Sequence, residues 1–419
     1  MNKRIFALFA FMVLGALILA ACQPQEQAFE CTDAIGCVEI PEGEPIHIAY
    51  MLATSGAVEF LGADSLGGIE IAIDERGQIK GHDIKLSGED SLCSAEGGQT
   101  AAQKVAADPT IVAVIGTNCS SAGTAAIDVI SEAGLLMISP TNTSPSLTNP
   151  NESWKPGYFR TAHNDLFQGA MAARFAYEEL GARTAAAIHD GDPYTEGLAS
   201  AFRDAFTELG GTITAFEGVN KEDTDMRPVL TSIAADSPEV LYFPIFEPAG
   251  NFVAAQSREV PGLENTILMG ADGLLVKSFG PNTGSAAEGM YLSGPYVTGP
   301  EYDAFLEKYE AKTGGPPPAG FAAHAYDATN IVLDAIEKVA VEGPDGTLYI
   351  GRQALRDAVA ATEGFKGLTG VLSCADKELQ PGVTFKGDCA TGEALAIFQL
   401  SAAQVESEDN WPPDVVWTP

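Results

Sequence analysis

The chain has 419 residues, and its 57 acidic and 23 basic side chains give a formal net charge of −34 at pH 7. A chain this acidic repels phosphate backbones, which argues against nucleic acid as a partner. The length exceeds that of one ordinary domain, so we expect two lobes.

The N-terminus has the pattern of a secretory signal peptide. Two basic residues precede an apolar run over residues 5–21, which is shorter than the about 20 residues that usually span a membrane. The run ends in Leu-Ala-Ala-Cys, which looks like a bacterial lipobox with Cys22 as the residue to be acylated. We therefore predict a signal peptide at 1–21, a tether at 22–45 and an extracytoplasmic, lipid-anchored protein. An uncleaved membrane anchor is the alternative, and it also places the rest of the chain outside the cytoplasm.

Six cysteines remain when Cys22 is set aside. Six cysteines allow many pairings, and the sequence alone does not choose among them. Their grouping along the chain favours pairs between neighbours, and an oxidising compartment would permit all three pairs. The expected pairs are Cys31–Cys37, Cys93–Cys119 and Cys374–Cys389.

From residue 46 onward, apolar segments typical of strands alternate with segments of helical spacing. The first series predicts strands at 46–52, 83–90, 110–117 and 135–141, separated by helices at 59–75, 97–108 and 122–134. The second series predicts helices at 164–181, 195–210, 226–237 and 249–260, and strands at 184–191, 212–219, 239–246 and 266–273. Such alternation predicts an α/β fold whose two lobes each hold a parallel sheet flanked by helices. Residues 409–419 show no periodicity, and we expect them to lie on the surface.

The sequence lacks the usual motifs of enzymes and cofactor-binding proteins. It contains no P-loop and no G-x-G-x-x-G after a strand, and its five histidines include no H-E-x-x-H, so we expect neither a cofactor nor a metal. The stretch "HDGDPYTEG" begins like a calcium loop, but Tyr194 occupies the third ligand position. Ser120 lacks the G-x-S-x-G context of a hydrolase nucleophile. A Ser–His–Asp triad from distant parts of the chain stays open as an alternative.

Polar or aromatic residues occur at five turns that follow predicted strands. Ligands of open parallel sheets bind beyond the carboxyl ends of the strands, so we expect the binding site at these turns. The five turns are "TNCSSAG", "SPTNTSP", "DGDPYTEG", "IFEPAG" and "GADG".

The order and spacing of several segments resemble the solute-binding proteins of ABC transporters for branched-chain amino acids and related compounds. The segments are "GTNCSS", "MISPTNTSPSLT", "FRTAHND", "HDGDPYTEGLA" and "MGADG", behind the lipobox. The resemblance begins near residue 46 and is strongest over 93–273. It implies the type I periplasmic-binding fold, a small amino acid or similar zwitterion as ligand, an ABC permease as partner and no enzymatic reaction. We also expect a monomer.

The resemblance assigns roles to residues of the first lobe. In the family, the positions of Ser120 and Thr143 bind the α-carboxylate of the ligand and help to fix its amine, together with the backbone at Thr141. A helix that begins at the first of these turns supports such a role, because its free N–H groups and positive dipole end face the turn. The resemblance also implies that Cys119 pairs with Cys93. A helix cap at Ser120 and a turn residue at Thr143 are the ordinary alternatives.

The resemblance assigns further roles in the second lobe. Tyr194 and Phe246 correspond to an aromatic lid, and Asp272 corresponds to the acid that accepts the ligand ammonium. A carboxylate in a dry cleft is costly unless it is paired, so a cationic amine is a natural partner. A turn residue before Gly273 is the ordinary alternative for Asp272. The leucine-type binders have Tyr in place of Phe246, the longer Glu in place of Asp272 and often an aromatic in place of Leu61, which leaves the ligand side chain open.

The resemblance also predicts how the chain is divided. Residues 46–163 with 296–370 would form lobe 1, and residues 164–295 with 371–419 would form lobe 2, with three crossings between them. Ligand binding would close the lobes, and the permease would sense the closed form. Two alternatives remain, which are a ligand-sensing ectodomain on the same fold and an extracellular hydrolase that uses Ser120 with a distant histidine.

Overall fold

The computed structural model describes residues 30–419. The predicted signal peptide, Cys22 and the first part of the predicted tether lie outside the described residues. Across the described range, every helix is either too short or too polar to cross a membrane.

Residues 30–163 form the first run of strands and helices. The strands are β1 (Cys37–Ile40), β2 (Ile46–Leu52), β3 (Gln78–Ile79), β4 (His82–Asp90), β5 (Ile111–Gly116), β6 (Leu136–Ser139) and β7 (Tyr158–Arg160). The helices are α1 (Glu59–Arg76), α2 (Ala95–Ala106) and α3 (Ser120–Glu132). Six strands form one sheet in the order β3-β4-β2-β5-β6-β7, which is parallel except between β3 and β4.

Residues 164–295 repeat this alternation. The helices are α4 (Asp165–Arg174), α5 (Pro193–Glu208), α6 (Arg227–Ala234), α7 (Ala249–Ser257) and α8 (Phe279–Thr283). The strands are β8 (Thr184–His189), β9 (Thr212–Gly218), β10 (Val240–Tyr242), β11 (Ile267–Gly270) and β12 (Tyr291–Pro295). These strands form a parallel sheet in the order β12-β11-β10-β8-β9.

Residues 296–419 contribute to both lobes. The helices are α9 (Pro300–Thr313), α10 (Ala322–Val339), α11 (Arg352–Ala360) and α12 (Ala402–Glu406). The strands are β13 (Val341–Glu342), β14 (Leu348–Gly351), β15 (Phe365–Gly367), β16 (Gly370–Leu372), β17 (Lys377–Gln380), β18 (Val383–Phe385), β19 (Leu395–Gln399) and β20 (Asp414–Trp417). Strands β19 and β20 extend the second sheet with antiparallel pairing beyond β12.

The predicted α/β fold is confirmed, and each predicted strand or helix overlaps an observed element of the same type. The predicted strand at 239–246 is shortened to β10, because the chain leaves the sheet after Tyr242 and Pro244 has no N–H for a ladder. The expectation for residues 409–419 is corrected in one respect. These residues are partly exposed, but Asp414–Trp417 forms a strand that pairs with β19.

Both faces of the first sheet are buried, as expected for a parallel sheet with crossover helices. One face packs Ile48 and Ile115 against α1 and α10, and the other packs Met51 and Val114 against α2 and α3. Large residues from both faces of the second sheet likewise belong to buried clusters. The turns that carry Ser120 and Thr143 follow β5 and β6, so both lie at the carboxyl edge of the first sheet.

The elements that carry the predicted turns begin and end at recognisable residues. Strand β5 ends at Gly116, whose φ of 140° suits glycine and where an added Cβ would clash with the Met51 carbonyl oxygen. Helix α5 begins with Pro193 at its first position, after Asp192 caps it by accepting a hydrogen bond from the Tyr194 N–H at 3.0 Å. These signals fix where the two turns sit on their lobes.

All three disulfides expected from sequence grouping are present, which are Cys31–Cys37, Cys93–Cys119 and Cys374–Cys389. The last of them bears on the division of the chain. Leu372, Cys374, Cys389 and Ala390 belong to the buried cluster of the first sheet. The stretch 371–390 therefore packs with the first lobe and not with the second, which is where the resemblance predicts it.

Candidate functional site

A narrow cavity lies between the turns of the two lobes. It is lined by Leu61, Asn118, Cys119, Ser120, Thr141, Thr143, Asp192, Tyr194, Phe246, Asp272, Gly273 and Phe321. The lining includes all seven residues that the resemblance assigns to the ligand. The other five have no predicted ligand role: Cys119 is assigned to a disulfide, and Asn118, Asp192, Gly273 and Phe321 carry no assignment.

The wall from the first lobe begins with Ser120, the first residue of α3. The first turn of any helix presents N–H groups that have no partner within the helix, and its dipole makes this end positive. The Ser120 hydroxyl oxygen accepts a hydrogen bond from the Ser144 N–H at 3.2 Å, which connects this turn to the next one. The preceding Cys119 is bonded to Cys93, so it is a structural crosslink and not a free thiol.

Asn118 holds this wall together. Its Oδ1 accepts a hydrogen bond from the Ala53 N–H at 2.7 Å, and its Nδ2 lies within hydrogen-bond distance of the Leu61 carbonyl, at 3.2 Å, and the Thr141 hydroxyl, also at 3.2 Å. The Thr141 hydroxyl in turn donates to the Asn118 carbonyl at 2.8 Å. The Thr141 N–H also has a partner inside the protein, since it donates to the Ser139 hydroxyl at 3.2 Å, which leaves the carbonyl oxygen of Thr141 for a ligand.

The wall from the second lobe is centred on Asp272, which follows β11. Its Oδ1 accepts hydrogen bonds from Gln168 Nε2 at 2.8 Å and from the Tyr194 hydroxyl at 3.0 Å. Burial raises the pKa of Asp272 to about 6, although the two hydrogen bonds favour the charged form. A positive ligand group beside this carboxylate would restore its ordinary ionisation.

The apolar part of the cavity is formed by side chains from both lobes. Tyr194 and Phe246 come from the second lobe, and their ring centroids lie 5.3 Å apart. Leu61 and Phe321 come from the first lobe and belong to one buried cluster with Phe246 packed against it. Phe321 precedes α10, far along the chain from the motifs that resemble the family, and no local signal in the sequence marks it.

Asp192 gives the cavity a second acidic residue. Burial raises the pKa of Asp192, and the hydrogen bond from the Tyr194 N–H opposes that rise. None of the twelve lining residues is Lys or Arg. The position of Asp192, directly before Pro193 in a strand-to-helix turn, is the signal that could have pointed to it.

Asp165 is fully buried at the start of α4, where its carboxyl interacts with that of Asp272. Neither of its carboxyl oxygens makes a hydrogen bond of ordinary geometry with the described residues. Burial and the charge of Asp272 hold the pKa of Asp165 well above its usual range, and Arg160 and the nearby Thr143 hydroxyl oppose this only in part. The carboxyl of Asp165 is therefore neutral over a wider pH range than that of an ordinary aspartate.

The arrangement lacks the parts of a hydrolytic or metal site. Within residues 30–419, no group of three or more His, Cys, Asp or Glu side chains could hold a metal ion. The Ser120 hydroxyl accepts its hydrogen bond from a backbone N–H and not from a histidine. The ring of His163 is hydrogen-bonded to the side chain of Gln168. Burial lowers the pKa of His163 to about 4, so this imidazole is neutral near pH 7. The geometry thus favours holding a ligand over transforming one.

Comparison with known proteins agrees with this geometry. The sequence profile of the periplasmic binding protein family matches residues 45–401. The chain belongs to the periplasmic binding protein family. It is therefore an extracytoplasmic solute-binding protein, and the family is one of binding proteins and not of enzymes, as the resemblance implied.

Two relatives of this chain are named as amino-acid-binding proteins. An amino acid binding protein of Pseudomonas aeruginosa is 30% identical over 279 residues, which cover 65% of this chain and 72% of that protein. The leucine-, isoleucine-, valine-, threonine- and alanine-binding protein of the same organism is 28% identical over 310 residues, which cover 72% and 80%. Among solved structures, a leucine-binding protein of Thermotoga maritima matches with a TM-score of 0.74 and 25% identity, over 89% of this chain and 98% of that one.

Proposed function

We propose that this periplasmic binding protein captures an α-amino acid in the cavity and presents it to the permease of an ABC transporter. One observation carries the proposal. The first lobe offers hydroxyls and a helix N-terminus, whereas the second lobe offers the Asp272 carboxylate, and both line the same cavity. A zwitterion is the ligand whose two charges fit these opposite walls.

The carboxylate of the ligand would lie against the first lobe. Ser120 and Thr143 are almost fully buried and supply hydroxyl donors, and the first turn of α3 supplies N–H groups. No cation is needed, because amide and hydroxyl donors together with the helix dipole are sufficient to hold an anion. The amine of the ligand would then reach the Thr141 backbone.

The ammonium of the ligand would pair with Asp272. The carboxylate is held in position by Gln168 and Tyr194 before any ligand arrives. A bound ammonium compensates the buried charge, and this differential interaction would favour the closed arrangement of the lobes.

The ligand side chain would meet Leu61, Phe246 and Phe321, which favours an apolar group. The name of one Pseudomonas relative includes leucine, isoleucine, valine, threonine and alanine, which supports a ligand whose side chain is no larger than that of leucine. The cavity also contains Asp192, so a ligand side chain that carries a hydrogen-bond donor fits it as well.

We propose that closure occurs about three crossings of the chain. The first lies near residues 162–164 and the second near residue 296. The third lies after residue 390, later than the sequence suggested, because residues 371–390 pack with the first lobe. The Tyr296 N–H donates to the Ala394 carbonyl at 2.9 Å, so the last two crossings lie side by side.

We also propose that the mature protein begins at Cys22 and is held at the membrane by acyl chains on this residue. The lipobox at the end of residues 5–21 supports this anchor. The tether would be shorter than the predicted 22–45, because Cys37–Ile40 pairs with β14 and buries Val38 and Ile40 in the cluster of the first sheet. We propose that the protein works as a monomer, because a single chain supplies both walls of the cavity.

Isothermal calorimetry tests the proposed ligand class. The protein is first unfolded and refolded to remove any bound solute, and it is then titrated with L-amino acids, their amides and their deaminated acids. Apolar L-amino acids should bind, and both modified series should bind much more weakly because each has lost one charge. Equal affinity for an amino acid and its deaminated acid would contradict the ammonium subsite at Asp272.

A further inference from the structure

The turn that carries Thr143 is held from behind by one buried guanidinium. Arg160, at the end of β7, donates from Nη1 to the carbonyl oxygens of Asn142 at 3.1 Å and Ser144 at 2.7 Å. These two carbonyls flank Thr143, whose side chain lines the cavity. The orientation of Thr143 therefore depends on where Arg160 is placed.

Asp388 holds the side chain of Arg160 in position. Arg160 Nε donates to Asp388 Oδ1, and the two side chains are 0% and 3% exposed. Asp388 Oδ2 accepts hydrogen bonds from the Thr148 hydroxyl at 2.8 Å and from Asn164 Nδ2 at 3.1 Å. A buried pair of charges is tolerated when its hydrogen bonds are satisfied in this way, and removing one partner would leave the other uncompensated.

The segment that carries Asp388 is closed by the disulfide between Cys374 and Cys389. Its backbone lies along the edge of β7, since the Arg160 N–H donates to the Gly387 carbonyl and the Cys389 N–H donates to the Arg160 carbonyl, both at 2.9 Å. Lys377 Nζ donates to the Asp388 carbonyl at 2.7 Å. The segment thus brings a carboxylate to Arg160 across 228 residues of sequence.

The same carboxylate contacts a crossing between the lobes. Asn164, which donates to Asp388, is also the N-cap of α4, where its Oδ1 accepts a hydrogen bond from the Leu166 N–H at 3.0 Å. Asp388 therefore links the turn of Thr143, through Arg160, to the start of the second lobe. A shift of the segment closed by the disulfide would therefore displace both the Thr143 turn and the start of α4.

We propose that Arg160 and Asp388 are positioning residues of the ligand site and that the segment 375–388, closed by its disulfide, sets the geometry of the Thr143 turn. Neither residue touches the ligand in this scheme. The inference rests on the proposed function for the ligand contact of Thr143, but the fixation of the turn by Arg160 does not depend on which ligand binds.

The first experiment compares two buried arginines that both hold carbonyls of the first lobe. In Arg160→Met with Asp388→Leu, both charges are removed together, which proteins often tolerate. Arg356→Met is the matched control, because Arg356 bonds the Ser131 and Leu135 carbonyls at the far end of α3. Calorimetry is done at a temperature at which all variants are folded, with the amino acid that binds the wild-type protein most tightly.

The double variant should weaken binding by about tenfold or more, through loss of hydrogen bonds from a charged donor. The control should weaken binding by less than about threefold, since distant sites act independently. Equal effects of the two changes, or unchanged affinity in the folded double variant, would overturn the proposal. If the double variant does not fold, Arg160→Lys decides the matter, because Lys keeps the charge beside Asp388 but lacks the planar fork that holds both carbonyls and Asp388 at once.

A second measurement separates this inference from the proposed function. Hydrogen exchange of the amides at 142–144 is followed in the ligand-free protein. Exchange there should be faster in the Arg160 variants and in Cys374→Ser with Cys389→Ser than in the wild type, and unchanged in Cys31→Ser with Cys37→Ser. If no amino acid binds but these rates rise, the proposed ligand is wrong and the positioning role stands. If amino acids bind and the rates do not rise, the positioning role is wrong.

Discussion

The hydroxyl of Tyr194 donates a hydrogen bond to Oδ1 of Asp272 at 3.0 Å, and this contact joins two turns of the second lobe. The same hydroxyl oxygen accepts the Gly273 N–H at 3.2 Å. Tyr194 lies in the first turn of α5 and Asp272 follows β11, so the carboxylate is fixed by an element 78 residues away in sequence. A ligand ammonium would therefore meet a carboxylate that needs little rearrangement.

Asp272→Asn should reduce the affinity for an amino acid by about 2–5 kcal/mol, as when one partner of a buried charged pair is removed. The amide has nearly the same shape but no charge to compensate the ammonium. Ser120→Ala should cost only about 1–3 kcal/mol, because the N–H groups of α3 remain beside the carboxylate. Calorimetry measures both losses. An unchanged affinity in Asp272→Asn would show that the ligand does not place a cation there.

Asp165→Asn should stabilise the ligand-free protein more at pH 8 than at pH 5. The pKa of Asp165 is raised in the folded state by burial and by Asp272, so the stability that its neutral form permits is lost as the pH rises. At pH 8 the unfolded state gains more free energy by ionising this carboxyl than the folded state does, so the variant, which cannot ionise, should be more stable on the order of 1 kcal/mol. Chemical denaturation at the two pH values measures the difference.

Asp327 provides the control for this pH prediction. It is buried on α10, and burial raises its pKa to about 6, but its carboxylate accepts hydrogen bonds from the backbone of Leu368 and Thr369 at 2.9 Å each. Asp327→Asn should therefore destabilise the protein, because one of these bonds is lost. A stabilisation of both variants at pH 8 would show that net charge, and not the poor compensation of Asp165, is responsible.

Replacing Cys93 and Cys119 together by Ser should destabilise the protein by about 2–4 kcal/mol. This disulfide spans 26 residues and connects the turn before α2 to the turn that begins α3. The Cys31–Cys37 disulfide spans only 6 residues, so its removal should cost less. Thermal denaturation compares the two double variants, and a free thiol at Cys119 in the native wild-type protein would contradict the crosslink.

The mature protein should carry acyl chains on Cys22, since the lipobox precedes this residue. Cys22→Ser should release the protein from membranes or mislocalise it, because an acidic chain without lipid has little affinity for an anionic surface. Fractionation and intact-mass measurement test this. An unmodified Cys22 in the membrane fraction would contradict the lipid anchor and favour the uncleaved apolar segment.

The periodicity of apolar residues was sufficient to predict the order of strands and helices, because helices of 3.6 residues per turn and short apolar strands leave different patterns in the sequence. The turns with Ser120, Thr143, Tyr194 and Asp272 were also recognisable, because residues at the carboxyl ends of parallel strands share one sheet edge. Neighbouring cysteines paired as their grouping suggested. These features depend on residues that are close in sequence or equivalent along one sheet.

Other features depended on contacts between distant segments. Phe321 reaches the cavity only because the chain returns to the first lobe before α10, and no periodicity near it indicates a role in the cavity. Asp388 meets Arg160 only because the segment closed by Cys374 and Cys389 packs beside β7. The same packing places residues 371–390 with the first lobe, where the resemblance predicted the second. Local propensity does not specify which remote carboxylate will neutralise a buried guanidinium. That choice is made by the packing of the whole fold, since a buried charge is stable only where its partner and its hydrogen bonds arrive together.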